Sequence, residues 1–311
     1  MPIPTPIDLS NIRTIPIARR TNKVRVADFA RAPKPDASFE DFLASLPNGT
    51  VGKDFTEFVG HVVESASAHR TVAIGIGGHV IKCGLAPVLI DLMERGILTS
   101  VAMNGATAIH DTEIAMIGQT SEDVAANLED GTFGMAGETA DFINHAVRPK
   151  EGYGIALGRA IAQADFPFKE KSILYHAARL KLPATVHVAL GTDIVHQHPS
   201  ADGAAIGSAS LMDFRIFCAV VSGLEGGVFI NFGSAVILPE VFLKALTVAR
   251  NLGHQVERFV TANFDMIRHY RPQVNIVHRP TSTGGKGYYF VGCHEIMIPL
   301  LAQAILVTGD W

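Results

Sequence analysis

Two consecutive segments of the chain each run from a short apolar stretch through a glycine turn into a helical pattern. The first comprises TVAIGIGG followed by HVIKCGLAPVLIDLMERG, and the second is ILTSVAMNGATAIHDTEIAMIG. An apolar run without polar alternation is typical of a strand that is buried on both faces, and strand-then-helix is the repeating unit of a parallel sheet. The repetition therefore predicts an α/β fold with a mostly parallel sheet and helices on its faces.

The second half of the chain continues this alternation. Further apolar stretches predict strands in ATVHVALGTD, GGVFINFGSAV, HQVERFVTANFD and QVNIVHR. Helical patterns separate them in LMDFRIFCAVVSGLEG and PEVFLKALTVARNLG. Six or seven strands without a solenoid-length repeat favour a doubly wound, Rossmann-like sheet in a single large domain.

The remaining segments predict additions to that domain. Residues 1–36 are rich in proline and predict an extended N-terminal arm, so that the α/β domain comprises residues 37–311. Ser38 is the predicted N-cap of the first helix. Residues 120–150 open with the box-like TSED and have a mostly helical pattern, which predicts a helical insertion or lid.

Composition excludes several classes of protein. The net charge is −4 and no dense Lys/Arg cluster is present, so we do not expect a nucleic-acid partner. Prolines and charges occupy the N-terminus, and no uninterrupted apolar stretch approaches about 18 residues, so neither a signal peptide nor a membrane partner is expected. The three cysteines show no CxxC spacing, which predicts neither a disulfide framework nor a thiolate zinc site. We expect a cytoplasmic protein that acts on a small molecule.

The balance of apolar and charged residues bears on assembly. Charged residues make up 18% of the chain and hydrophobic residues 48%. This leaves more apolar surface than one domain of this size easily hides, which favours a subunit interface. We therefore expect a homo-oligomer.

Two glycine turns follow the first two predicted strands, where ligands of open α/β sheets bind. In Gly75-Ile76-Gly77-Gly78, backbone N–H groups at a helix start can meet a pyrophosphate, although Val80 replaces the third glycine of a full dinucleotide motif. The alternative is a turn that only needs glycine for its shape. The second turn, Asn104-Gly105-Ala106, precedes His110, Asp111 and Glu113. Here the alternative is a helix cap with solvated charges.

Two later clusters also carry reactive side chains. His196 and His198 follow Asp193, and an extended backbone would place both imidazoles on one side, as metal ligands are. Histidines in a solvated loop are the alternative. Farther on, glycines flank Lys286, which is either a flexible surface charge or, if desolvated, a nucleophile that condenses with a carbonyl.

Taken in order, these motifs resemble those of deoxyhypusine synthase. GIGGHVIKCGLAPVLIDL and SVAMNGATAIHDTE resemble the turns at which that family holds NAD, and four later stretches resemble further motifs of the family. These are YHAARLKLPATVHVALGTD, GGVFINFGSAV, FVTANFDM and FVGCHEIMIPLLAQAIL. The resemblance runs from Thr71 to Thr308 and implies the deoxyhypusine synthase-like, NAD-binding fold.

The resemblance also implies roles for individual residues. Lys286 matches the lysine with which that family forms an imine with an aminobutyl group after hydride transfer to NAD. Members of the family assemble with active sites at subunit interfaces, which implies a dimer or tetramer. The implied dinucleotide contacts are Gly77, Gly78, Asn104, Gly105, Ala106, Asp193, Gly233, Ser234, Thr261, Ala262 and Asp265.

Departures from the family's pattern fall on the groups that bind its polyamine. Ile237-Leu238-Pro239 replaces a lysine-histidine-histidine sequence, Gly284 replaces a tryptophan, and His198 replaces an acidic residue. A polycationic substrate needs carboxylates and an aromatic face to offset the desolvation of its ammonium groups. We therefore do not expect authentic deoxyhypusine synthesis.

The leading hypothesis is an NAD-dependent enzyme that abstracts a hydride from a small amine, amino acid or hydroxy compound, with Lys286 capturing the product as an imine. The acid–base candidates are His110, Asp111, His196 and His198. One alternative is a non-catalytic NAD-binding or sensing protein. The other is a metal-assisted hydrolase that uses the same four residues.

Overall fold

A sheet of six parallel strands forms the centre of the computed structural model, which describes residues 2–149 and 151–311. The strands lie in the order β3-β2-β1-β4-β5-β6, and each neighbouring pair is parallel. Their bounds are β1 Val72–Ile76, β2 Ser100–Asn104, β3 Ala184–His187, β4 Val228–Phe232, β5 Val260–Asp265 and β6 Lys286–Val291. The predicted α/β fold with a Rossmann-like parallel sheet is confirmed.

Helices connect the strands and cover the sheet. In chain order they are α1 Phe39–Ser45, α2 Thr50–Ser67, α3 Gly78–Lys82, α4 Ala86–Glu94, α5 Gly105–Ile117, α6 Val124–Glu129, α7 Gly137–Ala146, α8 Tyr153–Gln163, α9 Ile173–Leu180, α10 Gly203–Ser222, α11 Ile237–Asn251, α12 Tyr270–Pro272 and α13 His294–Thr308. A π-helical stretch, Gln273–His278, continues α12. Short 3-10 turns occur at Ile17–Arg19, Val26–Asp28, Lys169–Lys171 and Ile194–Gln197.

Alternate side chains of the strands enter two separate cores. Val72 and Ile74 belong to the larger core, whereas Ala73 between them belongs to the smaller one. In the smaller core the rings of Phe229 and Phe242 stack with centroids 4.1 Å apart. Because side chains of a strand alternate between faces and both faces are buried, the strands are largely apolar along their length.

The strand order reverses between β1 and β4, and the turns after these two strands touch there. The backbone N–H of Gly77 donates to the carbonyl of Phe232 at 2.9 Å. A Cβ atom on Gly77 would lie 2.7 Å from the carbonyl oxygen of Gly233, which has a positive φ of 67°. In open α/β sheets the crevice at such a reversal is the ligand site.

Two sequence predictions of secondary structure are wrong. QVNIVHR is helical rather than a strand, because it continues the helical turn that begins at Tyr270 and includes Pro272. The sixth strand is instead β6. Its aromatic residues favour a strand, although no strand was predicted from the sequence at this position.

The structure also describes the segments predicted as additions. Residues 2–36 contain two short 3-10 turns and are mostly exposed, and Ser38 caps α1 in a reciprocal capping box with Asp41. Residues 120–149 contain α6 and α7, and Asn144 of α7 donates to the Val195 carbonyl at 2.9 Å. Residues 1 and 150 of the predicted segments lie outside the described residues.

One described helix, α10, is long and apolar enough to cross a bilayer by length and composition alone. It packs against β3 and α11. A core helix of an α/β domain meets the same criterion, so this feature is weak evidence for a membrane span.

Replacing Gly77 with alanine tests the backbone contact between the turns after β1 and β4. We expect Gly77→Ala to lower the free energy of unfolding by about 1–3 kcal/mol, because the added Cβ would collide with the Gly233 backbone rather than with a flexible side chain. The control is Gly60→Ala on the exposed side of α2, where a Cβ meets nothing within 4 Å. That variant is expected to gain up to about 1 kcal/mol. Urea denaturation of both variants measures the difference, and equal stabilities would contradict the contact.

Candidate functional site

A cavity of about 350 Å³ lies at the carboxyl edge of the sheet, where α5 follows β2 and the 194–197 turn follows β3. Part of its wall is apolar, formed by side chains such as Ile109, Phe133 and Ile194. The polar side chains that line it are Lys82, His110, Glu113, Ser121, Glu122, Thr192 and Asp193. The cavity therefore combines an apolar wall with three carboxylates and one lysine.

Asp193 carries an unpaired carboxylate oxygen in this cavity. Its carboxylate packs directly on Gly105 at the start of α5, where any side chain would overlap it. Oδ2 is buried and accepts no hydrogen bond from the described residues. Burial raises the pKa of Asp193 to about 6. A buried acceptor without a donor costs free energy, so this oxygen is a natural partner for a ligand that donates.

The His196 side chain orients toward that oxygen. Its Nδ1 accepts hydrogen bonds from the backbone N–H groups of Gly191 at 3.2 Å and Asp193 at 3.3 Å. Because Nδ1 is an acceptor, the proton of the neutral ring is on Nε2, which lies 4.0 Å from Asp193 Oδ2. Burial lowers the pKa of His196, which favours this neutral form. His196 Nε2 is, like Asp193 Oδ2, buried without a hydrogen-bond partner, so the two atoms face each other without bonding.

His110 belongs to a hydrogen-bonded chain at the cavity wall. Its Nδ1 lies 2.7 Å from Thr120 Oγ1, which donates to Glu113 Oε2 at 2.5 Å. Since the single hydroxyl proton of Thr120 goes to Glu113, Thr120 accepts from His110 Nδ1, and Nε2 keeps a free lone pair. Burial, aided by the charge of Lys82, lowers the pKa of His110 to about 4. At pH 7 His110 is neutral and can accept a proton.

Asp111, the next residue along α5, has a structural role instead. Its buried carboxylate accepts hydrogen bonds from Ser172 Oγ at 2.6 Å and from the backbone N–H groups of Ile173 at 2.8 Å and Leu174 at 3.1 Å. It thereby holds the N-terminus of α9, whose dipole favours a negative charge. Burial raises its pKa to about 6. Asp111 does not line the cavity, which corrects its prediction as an acid–base residue.

The His198 side chain is also engaged in a hydrogen bond with another loop. Its Nε2 lies 2.8 Å from the carbonyl oxygen of Gly134, to which it donates. This bond ties the loop after β3 to the loop before α7. Asp111 and His198 both make hydrogen bonds elsewhere in the protein, so the four predicted metal ligands do not converge on one point. The structure therefore does not bring together the ligands that the metal-assisted hypothesis requires.

The residues predicted to hold a dinucleotide divide into two groups. Gly77, Gly78, Asn104, Gly105, Ala106, Asp193, Gly233, Ser234 and Asp265 lie at the carboxyl edge. Within this group Asn104 Oδ1 accepts from the Thr107 N–H at 2.9 Å and caps α5, and Ser234 Oγ accepts from the Leu238 N–H at 3.2 Å. Asp265 ends β5 with a buried, unpaired Oδ2 that lies 3.7 Å from His269 Nε2.

Thr261 and Ala262 form the second group, and the structure does not bring them to the carboxyl edge. Both are fully buried inside β5, and Thr261 Oγ1 donates to the Ile276 carbonyl at 2.7 Å. Their prediction as cofactor contacts followed a motif match along the chain. The register of β5 places only its last residue, Asp265, at the edge.

Lys286 lies at the opposite, amino edge of the sheet, since it pairs with Val260 at the start of β5. A strand rises about 3.3 Å per residue, which separates Lys286 from Val291 at the carboxyl end of β6 by roughly 16 Å. Its ammonium pairs with Glu57 of α2, and Glu57 raises the pKa of Lys286. It lines a different cavity, of about 530 Å³, together with Glu57, Glu64 and Arg70. The structure thus separates Lys286 from the other candidates, which corrects its prediction as their catalytic partner.

Sequence reasoning missed several functional groups at the carboxyl edge. Lys82 and Thr120 lie near His110, and only hydrogen-bond geometry reveals that Thr120 joins His110 to Glu113. His79, Cys83, His294 and Glu295 gather beyond the β1–β4 reversal. The spacing of four residues between His79 and Cys83 on a helical segment was the available signal.

Comparison with known proteins supports the fold. The sequence matches no protein-family model and no curated protein sequence. Among solved structures, a protein from Entamoeba histolytica provisionally assigned as a deoxyhypusine synthase is similar with a TM-score of 0.53 at 11% identity, covering 89% of this chain and 96% of that one. A conserved protein from Methanococcus maripaludis S2, provisionally assigned to the LOR/SDH proteins, has a TM-score of 0.51 at 14% identity, covering 88% and 72%.

A third similar structure holds ligands. It is the ternary complex of AgrE with ornithine and NAD+, with a TM-score of 0.50 at 14% identity, covering 81% of this chain. This chain spans 32% of the AgrE chain, about a third of its length. At such identities the likeness shows the fold alone, and the deoxyhypusine synthase-like fold implied by the sequence is confirmed.

Replacing Asp111 distinguishes the structural role from a catalytic one. We expect Asp111→Ala to lower the free energy of unfolding by about 3 kcal/mol, because three donors at the start of α9 would lose their buried acceptor. Asp141→Ala, an exposed position on α7, serves as the control and should stay within about 0.5 kcal/mol of wild type. Chemical denaturation measures both values. A fully stable Asp111→Ala would show that α9 does not depend on this carboxylate.

Proposed function

We propose that this protein is an NAD-dependent enzyme that removes a hydride from the nitrogen-bearing carbon of a small amine or amino acid. The observation that carries the proposal is the buried, unpaired Oδ2 of Asp193 in a cavity that His110 also lines. A substrate ammonium would supply the missing donor, and the apolar wall would contact its carbon chain. The excess of carboxylates over lysine in the cavity favours an amine over a neutral hydroxy compound.

The choice of cofactor rests on the fold and on the chemistry of the carboxyl edge. A structure of the same fold, AgrE, was solved with ornithine and NAD+. In this chain the unpaired, buried Oδ2 of Asp265 fits a ribose hydroxyl, which donates a hydrogen bond. Lys82 provides positive charge for a pyrophosphate, and Gly77 and Gly233 permit close approach of the backbone. NAD bound there would supply the hydride acceptor.

The oxidation also requires a proton acceptor, which the side chains of the cavity supply. When the carbon loses a hydride, the adjacent nitrogen must lose one proton so that a C=N bond forms and charge balances. His110 Nε2 is the proposed acceptor, because its lone pair is free and the ring is neutral at pH 7. Thr120 and Glu113 hold the ring in the required tautomer. Asp193 holds the substrate nitrogen through its unpaired oxygen.

The proposal gives Lys286 no part in the reaction. A lysine that is paired with Glu57 and has a raised pKa stays protonated, and a protonated amine is not a nucleophile. The product is therefore released as the iminium compound rather than captured by the protein.

Calorimetric titration of the purified protein with NAD+ and NADH tests the cofactor, and NADH absorbance tests turnover, with ornithine as the first substrate. We expect micromolar binding and turnover of at least one amine or amino acid. His110→Gln should lower kcat by about 10²–10⁴-fold with NADH binding unchanged. The control His145→Gln, at an exposed position on α7, should behave like wild type. Absence of NAD(H) binding would overturn the proposal. Binding without turnover would favour an NAD-sensing protein.

The raised pKa of Asp193 predicts a pH dependence of substrate binding. A carboxylate binds an ammonium only when ionised, so the KM for the amine should rise as the pH falls through about 6. Asp193→Asn should raise KM by about 10–100-fold at neutral pH and remove this dependence, since its amide does not titrate. Initial rates from about pH 5 to about pH 8 measure both effects. A rise in KM that persists in Asp193→Asn would assign the titration to another group.

A further inference from the structure

A second cluster of reactive side chains lies at the carboxyl edge and shares no residue with the cavity. It consists of His79 in α3, Cys83 directly after α3, and Glu295 in the first turn of α13. The imidazole nitrogen, the thiol sulfur and a carboxylate oxygen of these residues all lie within 4.8 Å of one another. Among the described residues, this is the group of three histidine, cysteine or acidic side chains whose potential ligand atoms lie within that distance of one another.

Local backbone structure brings the three side chains together. The Cys83 N–H donates to the His79 carbonyl at 2.9 Å, so the two residues are one helical turn apart and share a face. Glu295 comes from the other end of the sheet through β6, whose following turn is fixed by a hydrogen bond of 3.0 Å from the Gly292 N–H to the Asp265 carbonyl. The segments that follow β1 and β6 therefore place the three potential ligands close together.

The surroundings of the cluster favour an ion. His294, next to Glu295, is only 2% exposed, its Nδ1 has no partner, and its ring centroid lies 6.2 Å from that of His79. A Cβ on Gly233 would collide with His294 Nε2, so the glycine leaves the space that this ring fills. His79 and Glu295 are exposed, and Cys83 is half-buried. An ion can reach the cluster from solvent, and the buried imidazole of His294 lies next to the cluster.

We propose that His79, Cys83 and Glu295 bind a divalent transition-metal ion, for which Zn²⁺ is the best match. Imidazole, thiolate and carboxylate are all zinc ligands, at about 2.0–2.3 Å from the ion. Ligand atoms around a tetrahedral ion lie about 3.6 Å apart at such distances, so the exposed His79 and Glu295 side chains need to move inward by at most about 1 Å. On binding, the Cys83 thiol releases its proton to solvent and no electrons are transferred.

Three protein ligands leave one coordination position open. This is the arrangement of zinc sites that bind a water or a substrate, whereas structural sites close all four positions with protein ligands. The site would therefore take a small ligand with an oxygen or nitrogen donor.

Titration of the purified full-length protein with Co²⁺ tests the site, because a cobalt–thiolate bond gives a charge-transfer band in the near ultraviolet. We expect one Co²⁺ per chain, a band that Zn²⁺ displaces, and loss of the band in Cys83→Ser. Cys218→Ser, which removes the cysteine on α10, is the matched control and should keep the band. Glu295→Gln changes an exposed side chain and should weaken Co²⁺ binding at least about tenfold, as should His79→Ala.

The outcomes separate this proposal from the proposed function. No band in the wild-type protein, or a band that survives in Cys83→Ser, would overturn the site. Unaltered Co²⁺ affinity in the exposed Glu295→Gln variant would overturn it too, and that variant remains informative if Cys83→Ser fails to fold. His110→Gln is expected to bind Co²⁺ like wild type, so a failed NAD(H) experiment leaves the metal result unaffected, and the reverse holds as well.

Discussion

The parallel pairing of β1 with β4 is the contact on which the arrangement of the protein depends. These strands come from opposite halves of the chain, and their register brings the turn at Gly77 against the turn at Gly233. Because the strand order reverses at this pair, the connections diverge to the two sides and leave a crevice between them. Helix α3, which follows β1, contributes Lys82 to the cavity of Asp193 and His110 and His79 to the cluster of His79, Cys83 and Glu295.

Buried carboxylates divide into two kinds in this structure, and the division separates stability from chemistry. Asp111 holds the start of α9, and Asp213 Oδ2 accepts from the Gly154 N–H at 2.8 Å and the Val186 N–H at 2.6 Å. Both satisfy backbone donors that would otherwise be unpaired. Asp193 and Asp265 each keep an oxygen without a donor, as Asp213 does with its Oδ1, but these two lie at the carboxyl edge of the sheet. Chemistry is therefore expected at the second pair because of its position at the strand ends.

The sequence predicted the fold well because strands buried on both faces leave a strong apolar signal. It predicted the site only in part. His110 and Asp111 are neighbours on α5, yet adjacent helical residues point in directions about 100° apart, so one lines the cavity and the other caps α9. Which one does so depends on the position of α9, a tertiary contact that local sequence does not contain. The unpaired Asp193 oxygen is equally invisible without coordinates.

Strand register explains the remaining errors. The motif match placed Lys286 among catalytic residues, but it opens β6 instead of following a strand, which puts it at the amino edge. The stretch QVNIVHR has the apolar content of a strand, but Pro272 leads it into a helical turn, and it packs against α11 and β6 as a helix. Local pattern could not distinguish these cases.

Lys286 acquires a different significance from its place in the sheet. Strand β6 is an outermost strand, rich in aromatic residues, and its free edge could add a strand from another molecule. A charged lysine at its first position, kept there by Glu57 and lying 5.1 Å from the centre of the Tyr288 ring, makes such an addition unfavourable. The side chain that resembled a catalytic nucleophile is thus a charge of the kind that discourages edge-to-edge strand pairing.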